Sequence, residues 1–311
     1  MAVQSQGRLT LTSGTPYLAS DVTSATTVYF TPALGNEVPI WNGAVFTSTP
    51  FSEVSQALSD TTYSPAAAAA SSLYDMFVWT SGGAVIVSRG PAWSSATSRG
   101  TGAGTTELQF VNGVYTNKNA ITNGPAAGYG TYVGTISTDA STTLNMMFAP
   151  AAASGGSDNR LDVWNMYNRS LVSSRNIDSK TTWTYTTETW RAKDGSSGNA
   201  CTFVLGMPDV MVQADNHGNA DSSTSNGQAY GIGLDSTSAN HADTGFEWTC
   251  VNSGKFQGDN AFWSGLPGLG SHYLCPLEIA QTGGTATWFG TGTASGLHLW
   301  GNSVFRIILP M

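Results

Sequence analysis

The chain has 311 residues, of which 40% are hydrophobic, 10% are charged and 36 are glycine; that is enough apolar material for a core and too little charge for a disordered chain. Its formal net charge is −8 with a pI near 4.8, so nucleic acid, whose binding rests on neutralised phosphates, is not an expected partner. The opening MAVQSQGRLT has no basic segment leading into an apolar one, and no apolar run approaches the roughly 20 residues of a membrane helix; neither a cleaved export signal nor membrane insertion is expected.

The glycine, serine and threonine content suits an all-β chain of short strands and tight turns. RLTLTS and TTVYFTP read as strands, and VPIWNGAVF as a hairpin. If Asn42 and Gly43 form a two-residue type I′ turn, Trp41 stands opposite Ala44, Ile40 opposite Val45 and Pro39 opposite Phe46. FSEVSQAL places Phe51, Val54 and Leu58 at helical spacing behind Pro50 and Ser52, which predicts a short helix. Ala66 to Ala70, bounded by Pro65 and Ser71, reads as a surface linker.

Two more hairpins follow. MFVWT and AVIVS flank Ser81, Gly82 and Gly83; LQF and VYT flank Asn112-Gly113, which pairs Phe110 with Tyr115. Between them, the loop Gly90 to Thr106 carries Trp93 and Arg99, with Arg89 just before it. So long a loop is expected to pack on another strand layer or on a neighbouring subunit, which makes Arg89, Trp93 and Arg99 candidates for an oligomer interface.

Beyond Gly128, YGTYVGTI, TTLNMMFAP and RLDVWNMYNRSLVSS read as strands. In the last, Leu161, Val163, Tyr167 and Leu171 share one face and Trp164, Met166 and Val172 the other, as in a central strand between two layers. TWTYTTETW alternates Trp183 and Tyr185 with Thr182, Thr184 and Thr186, giving a threonine face that is solvated or meets another subunit. CTFVLGM, GFEWTCV, HYLCPLEIA, TATWFG and FRIILP complete the strands; Val212 to Thr244 is mostly polar, with only YGIGL reading as a strand. The expected fold class is all-β, an antiparallel sandwich or jelly-roll-like arrangement with at most one or two short helices. Two β regions are expected, 1–120 and 130–311.

No catalytic pattern emerges. GxSxG is absent, and twenty acidic residues offer no preferred pair for glycan cleavage, so no enzymatic activity is expected. Asp215, His217, Asn219 and Asp221 alternate donor atoms in the manner of a calcium loop, without EF-hand spacing; Ca2+ is the one cofactor they suggest. His241 with Asp243 and His272 with Glu278 lack a third partner and read as structural histidines. Cys201, Cys250 and Cys275 are odd in number and widely spaced, as ordinary thiols in or near the core. Arg169 and Arg191 lie among aromatics, where stacking or pairing with a buried carboxylate is expected. Of the tryptophans at 93, 164, 183, 190, 248, 263, 288 and 300, Trp164 and Trp248 are expected in the core. Trp263, in DNAFWSGLPGLGS, is the expected exposed ring, with Phe262 and Tyr230 completing a surface that stacks on sugars.

The segments SGTPYLASDVTSATTVYFTP, VPIWNG, FSEVSQAL, LYDMFVW and GPAWSSATSRGTGAGTTELQFVNGVYTNK are followed by TYVGTI, VWNMYNR, WTYTTETWR, YGIGLDSTSAN and GLGSHYLCPLE. In this order they resemble a family of β-rich proteins encoded in the structural gene regions of tailed phages and prophages. The resemblance spans nearly the whole chain, and the acidic tract Asp215 to Ser225 departs from it. It implies a virion protein, assembled in the bacterial cytoplasm and exposed on the particle, which is homotrimeric and partnered by other virion proteins. The implied role is a tail fibre, tail tip or head fibre contacting host-surface polysaccharide. The alternatives are a capsid decoration protein that stabilises the head and a glycan depolymerase. No catalytic residues come with the resemblance.

Overall fold

The structure, a computed structural model, describes residues 4–250, 257–291 and 303–311; Lys255, Trp300 and the side chain of Cys250 lie outside them. Among the described residues the chain is all-β: twenty-six strands and two single-turn 3-10 helices, Lys193–Gly195 and Ser197–Asn199. The strands form sheets of six, eight and seven strands with two small outliers. Strand pairing is antiparallel except between Asn159–Leu161 and Cys201–Leu205, which run parallel.

The six-stranded sheet runs Ala84–Ala92, Leu73–Ser81, Thr131–Ser137, Val114–Asn117, Leu108–Val111, with Val163–Asn165 also paired to Thr131–Ser137. Both of its hairpins turn where glycine permits: Gly82 and Gly83 take φ of 57° and 84°, and Asn112 and Gly113 take 46° and 92°. The second turn sets Phe110 against Tyr115, their rings 4.9 Å apart. Asn42-Gly43 behaves differently. Asn42 Oδ1 accepts from the backbone of both Ala44 and Val45, which makes a four-residue loop. Trp41 therefore faces Phe46 and Ile40 faces Thr47, each partner two residues further along than in the two-residue-turn register.

The helix expected over Phe51 to Leu58 is a strand, Val54–Ala57, paired with Thr27–Phe30. Gln56 is buried there and donates to Ser64 Oγ at 2.6 Å, while Phe51 stacks on Phe30 at 4.8 Å. A buried amide, bonded through its Nε2, hid the two-residue period. RLDVWNMYNRSLVSS is not one central strand either. It breaks into Asn159–Leu161, Val163–Asn165 and Leu171–Ile177, which join three different sheets, and Leu171 is exposed.

The polar tract after Val212 holds a long central strand, Val212–Ser222, between Gln257–Gly265 on one side and Val304–Pro310 with Ala286–Phe289 on the other. Its inward face is Val212, Ala214, Asn216, Gly218, Ala220 and Ser222. Those small side chains leave space for large rings: a Cβ on Gly218 would meet the Tyr230 hydroxyl at 2.5 Å. The expected alternation of Trp183 with Thr182 and Thr184 holds, with the ring buried and both threonines exposed.

A boundary near 120–130 is not formed. Val114–Asn117 and Thr131–Ser137 are neighbours in one sheet, and Val22–Ala25 belongs to the eight-stranded sheet with Leu144–Met146 and Asn159–Leu161. One buried apolar cluster extends from Leu9 to Met311. Cys201 and Cys275 are buried thiols, and burial pushes the Cys275 thiol up to about 12.

Burial also pushes two carboxyls up, Asp162 to about 6 and Asp259 to about 7, although each accepts hydrogen bonds. Folding favours the protonated form of both, so the unfolded chain releases their protons at lower pH than the native chain does. Stability is thus fullest near pH 4 and is lost as pH rises toward 7, by on the order of 4 kcal/mol for Asp259 alone. Denaturant midpoints are expected to be lower at about pH 8 than at about pH 5, and Asp259→Asn should flatten that difference. A midpoint that rises over this interval would contradict the assignment.

Candidate functional site

A recess walled by aromatic rings is built where two hairpins meet. Glu37–Trp41 and Phe46–Pro50 form the first hairpin, and Val38, Pro39 and Ile40 are buried as it lies on the six-stranded sheet. Thr131 Oγ1 donates to the Pro39 carbonyl and ties the two together. Trp41 ends its strand at the loop, its ring 5.0 Å from Phe46. Trp79 lies near the tip of Leu73–Ser81; its Nε1 donates to Ser88 Oγ on the paired strand at 2.9 Å, and Tyr63 meets it edge-on at 6.2 Å. Tyr129 closes the third side from the turn Ala126 to Tyr129. Gly43, at φ 98°, makes room for it: a Cβ there would lie 2.9 Å from the Tyr129 hydroxyl.

Ile40, Trp41, Trp79, Thr80, Ala126 and Tyr129 line a cavity of 130 Å³. Trp41 and Trp79 are half-buried and Tyr129 is exposed. The lining contains no charged side chain. Rings fixed by packing and by an indole hydrogen bond present flat apolar faces, and the Thr80 and Tyr129 hydroxyls offer polar edges. That combination suits a neutral ligand with one apolar face and hydroxyl groups at its rim.

The residues singled out by sequence fall elsewhere. Trp263 and Tyr230 are buried, not surface rings. Trp263 points inward beside Ala214 and donates from Nε1 to His241 Nδ1 at 3.1 Å, and Tyr230 packs on Trp288 at 4.7 Å. Phe262, one residue from Trp263, faces outward opposite Asp215 and is exposed. Trp164 is buried as expected, whereas Trp248 is 47% exposed.

Asp215, His217, Asn219 and Asp221 share the outer face of Val212–Ser222. Same-face neighbours on a strand stand about 7 Å apart, too far for four donors to close on one calcium ion. The expected calcium loop is therefore not formed, although His217 Nδ1 does lie 3.2 Å from Asp215 Oδ1. No group of three or more His, Cys, Asp or Glu side chains suited to a metal occurs among the described residues.

Arg89, Trp93 and Arg99 face the interior of this chain, which removes them from a subunit interface. Arg89 is buried, donating to the carbonyls of Ala57, Asp60 and Ala66 and lying over Tyr74. Arg99 pairs with Asp75 at 2.6 Å, stacks on the buried Trp93 at 4.5 Å and donates to the Gly206 carbonyl. The loop that holds it also accepts from Ser271 N at Ala96, so it packs on the eight-stranded sheet.

His272 bonds Asp235 at 2.8 Å and is not paired with Glu278. Glu278 instead binds Arg191 and accepts from Trp183 Nε1, while Arg191 stacks on Tyr185 and Arg169 on Trp164. His241 Nδ1 accepts from Asp243 N as well as from Trp263 Nε1, contacts that hold the ring in place as a structural imidazole.

No model of a known protein family matches the chain, and no curated protein matches it.

Neither Trp41 nor Trp79 stands in a sequence pattern that marks a ligand contact. The available signal was positional: each stands within a few residues of a hairpin turn glycine, Gly43 or Gly82, where a large side chain cannot be fully covered by the next strand.

Proposed function

We propose that the chain is a surface protein of a tailed-phage particle whose recess at Trp41, Trp79 and Tyr129 receives a neutral sugar of the host surface. The observation that carries this reading is the recess itself: two fixed indoles and a phenol around 130 Å³, with no charge in the lining. Sugars stack their apolar faces on such rings and place hydroxyls at the rim. The absence of a carboxylate in that lining favours retention of the glycan over its cleavage, which needs two. The sequence resemblance supports the virion setting, and so does a surface poor in charge. Homotrimeric assembly belongs to the same proposal, supported by exposed apolar side chains away from the recess, Leu171 and Phe262 among them.

Titrating the purified protein with host-surface polysaccharide fragments, read by tryptophan fluorescence, is expected to give saturable binding. Trp79→Ala should weaken it about tenfold or more, as loss of a central aromatic contact does, with the thermal midpoint little changed. Wild-type protein that binds no fragment would overturn the sugar assignment, and immunogold labelling that misses the virion would overturn the setting.

A further inference from the structure

Lys193 is a buried cation in an unusual position. It is 1% exposed, and among the described residues it forms no ion pair within 4.0 Å. Its Nζ lies 5.1 Å over the Tyr230 ring and 3.4 Å from Asn216 Oδ1. That second separation exceeds the roughly 2.7–2.9 Å of a charge-assisted hydrogen bond; it matches an amine resting beside an amide carbonyl. Asn216 is fully buried, and its Nδ2 donates to the Gly231 and Leu277 carbonyls, which leaves its carbonyl side toward the amine. Glu278, also fully buried, is near enough to Lys193 for its charge to act on the amine, while its oxygens also bind Arg191 and Trp183 Nε1. Its carboxylate accepts the backbone N–H of Asp194, the residue after Lys193, and it follows Leu277, whose carbonyl holds the Asn216 amide.

We propose that Lys193 and Asn216 are the two ends of an intramolecular isopeptide bond, made by the chain on itself, that joins the eight-stranded sheet to the seven-stranded sheet. Lys193 sits in the 3-10 turn between Arg191–Ala192 and Cys201–Leu205, strands of the first sheet, and Asn216 is at the middle of the central strand of the second. The neutral amine of Lys193 attacks Asn216 Cγ; the new Nζ–Cγ bond forms and the Cγ–Nδ2 bond breaks. One proton passes from Nζ through the Glu278 carboxylate to Nδ2, which leaves as ammonia. Nothing is oxidised or reduced, and no co-reactant enters. Burial favours the neutral amine the step requires, holding Lys193 down to about 8 against the pull of Glu278 and Asp178. A nucleophilic lysine activated by desolvation follows the general pattern of such amines.

Intact mass spectrometry of the native full chain is expected to give the sequence mass less one ammonia. Trypsin should then fail at Lys193, so that 192–255 remains one peptide, lighter by ammonia and without fragment ions from 193 to 216. A succinimide at Asn216 also loses ammonia but leaves Lys193 cleavable, so normal cleavage there overturns the proposal, as does an unreduced mass. Glu278→Gln, where it folds, should retain the full mass; bond formation in that variant would overturn the relay through Glu278.

Discussion

Replacing Asp75 with alanine is expected to lower stability by about 3–5 kcal/mol, the usual cost of removing one partner from a buried ion pair. Asp75 is fully buried at the centre of the six-stranded sheet. Its two oxygens accept from Arg99 Nε and Nη2, Thr106 Oγ1 and Thr135 Oγ1, at 2.6 to 3.1 Å. Without the carboxylate, both hydroxyls lose an acceptor and a largely buried guanidinium keeps as hydrogen-bond partners the Tyr132 hydroxyl and the Gly206 carbonyl, beside its stacking on Trp93. Two readouts separate this from simple loss of packing. Trypsin should cleave the variant faster after Arg99, because the loop is anchored there. The double variant Asp75→Leu, Arg99→Met should recover most of the loss, since a buried pair exchanged for apolar groups is close to neutral. A cost below about 1 kcal/mol, with no change in cleavage, would show that the loop is held by its other contacts.

Asp75 also marks the limit of what the sequence makes legible. The hairpins around Gly82-Gly83 and Asn112-Gly113 were readable because turn geometry depends on local φ alone, and the two positive-φ residues are adjacent in the chain. The Asn42-Gly43 turn shares that dipeptide yet forms a longer loop, because the Asn42 carboxamide caps two backbone N–H groups. Polar side chains ordinarily face outward, and four positions violate that rule: Asp75, Gln56, Asn216 and Glu278 are all buried and hydrogen-bonded. Two of the four hid an element. Gln56 disguised a strand as a helix, and Asn216 with Gly218 made the central strand of the seven-stranded sheet look like a loop.

The candidate recess was hidden for a different reason. Trp41 and Trp79 sit on separate hairpins, and only the packing of one on the other brings them to the same cavity. Trp263, by contrast, lies in a glycine- and proline-rich stretch that resembles a loop, yet it begins inside Gln257–Gly265 with its ring turned inward. Exposure of an aromatic ring is decided by strand phase, and phase is set by pairing partners far away in the chain.

Replacing Asn165 with alanine is expected to cost about 2–4 kcal/mol, because it strands both polar groups of a buried peptide unit. The strand Gly7–Thr10 is buried along its whole length and pairs on one edge with Thr27–Pro32. In a strand the N–H and C=O of one residue point to the same edge, so the opposite edge needs a donor and an acceptor side by side. A carboxamide supplies that pair. Asn165 Oδ1 accepts from Leu9 N at 2.7 Å and Asn165 Nδ2 donates to the Leu9 carbonyl at 3.2 Å. Asn168 Nδ2 continues the edge by donating to the carbonyls of Ser5 and Gly7, at 3.0 and 2.9 Å. Two asparagine side chains thus finish an edge that would otherwise require another strand. Asn165→Asp keeps the acceptor but turns a second oxygen toward the Leu9 carbonyl, and is expected to cost as much as alanine. Hydrogen exchange reads the effect locally: the Leu9 amide should lose protection in the alanine variant before residues of Leu73–Ser81 do, because the clip is removed while the sheet beneath keeps its own ladder. Unchanged protection at Leu9 would mean that pairing with Thr27–Pro32 alone holds the strand in place.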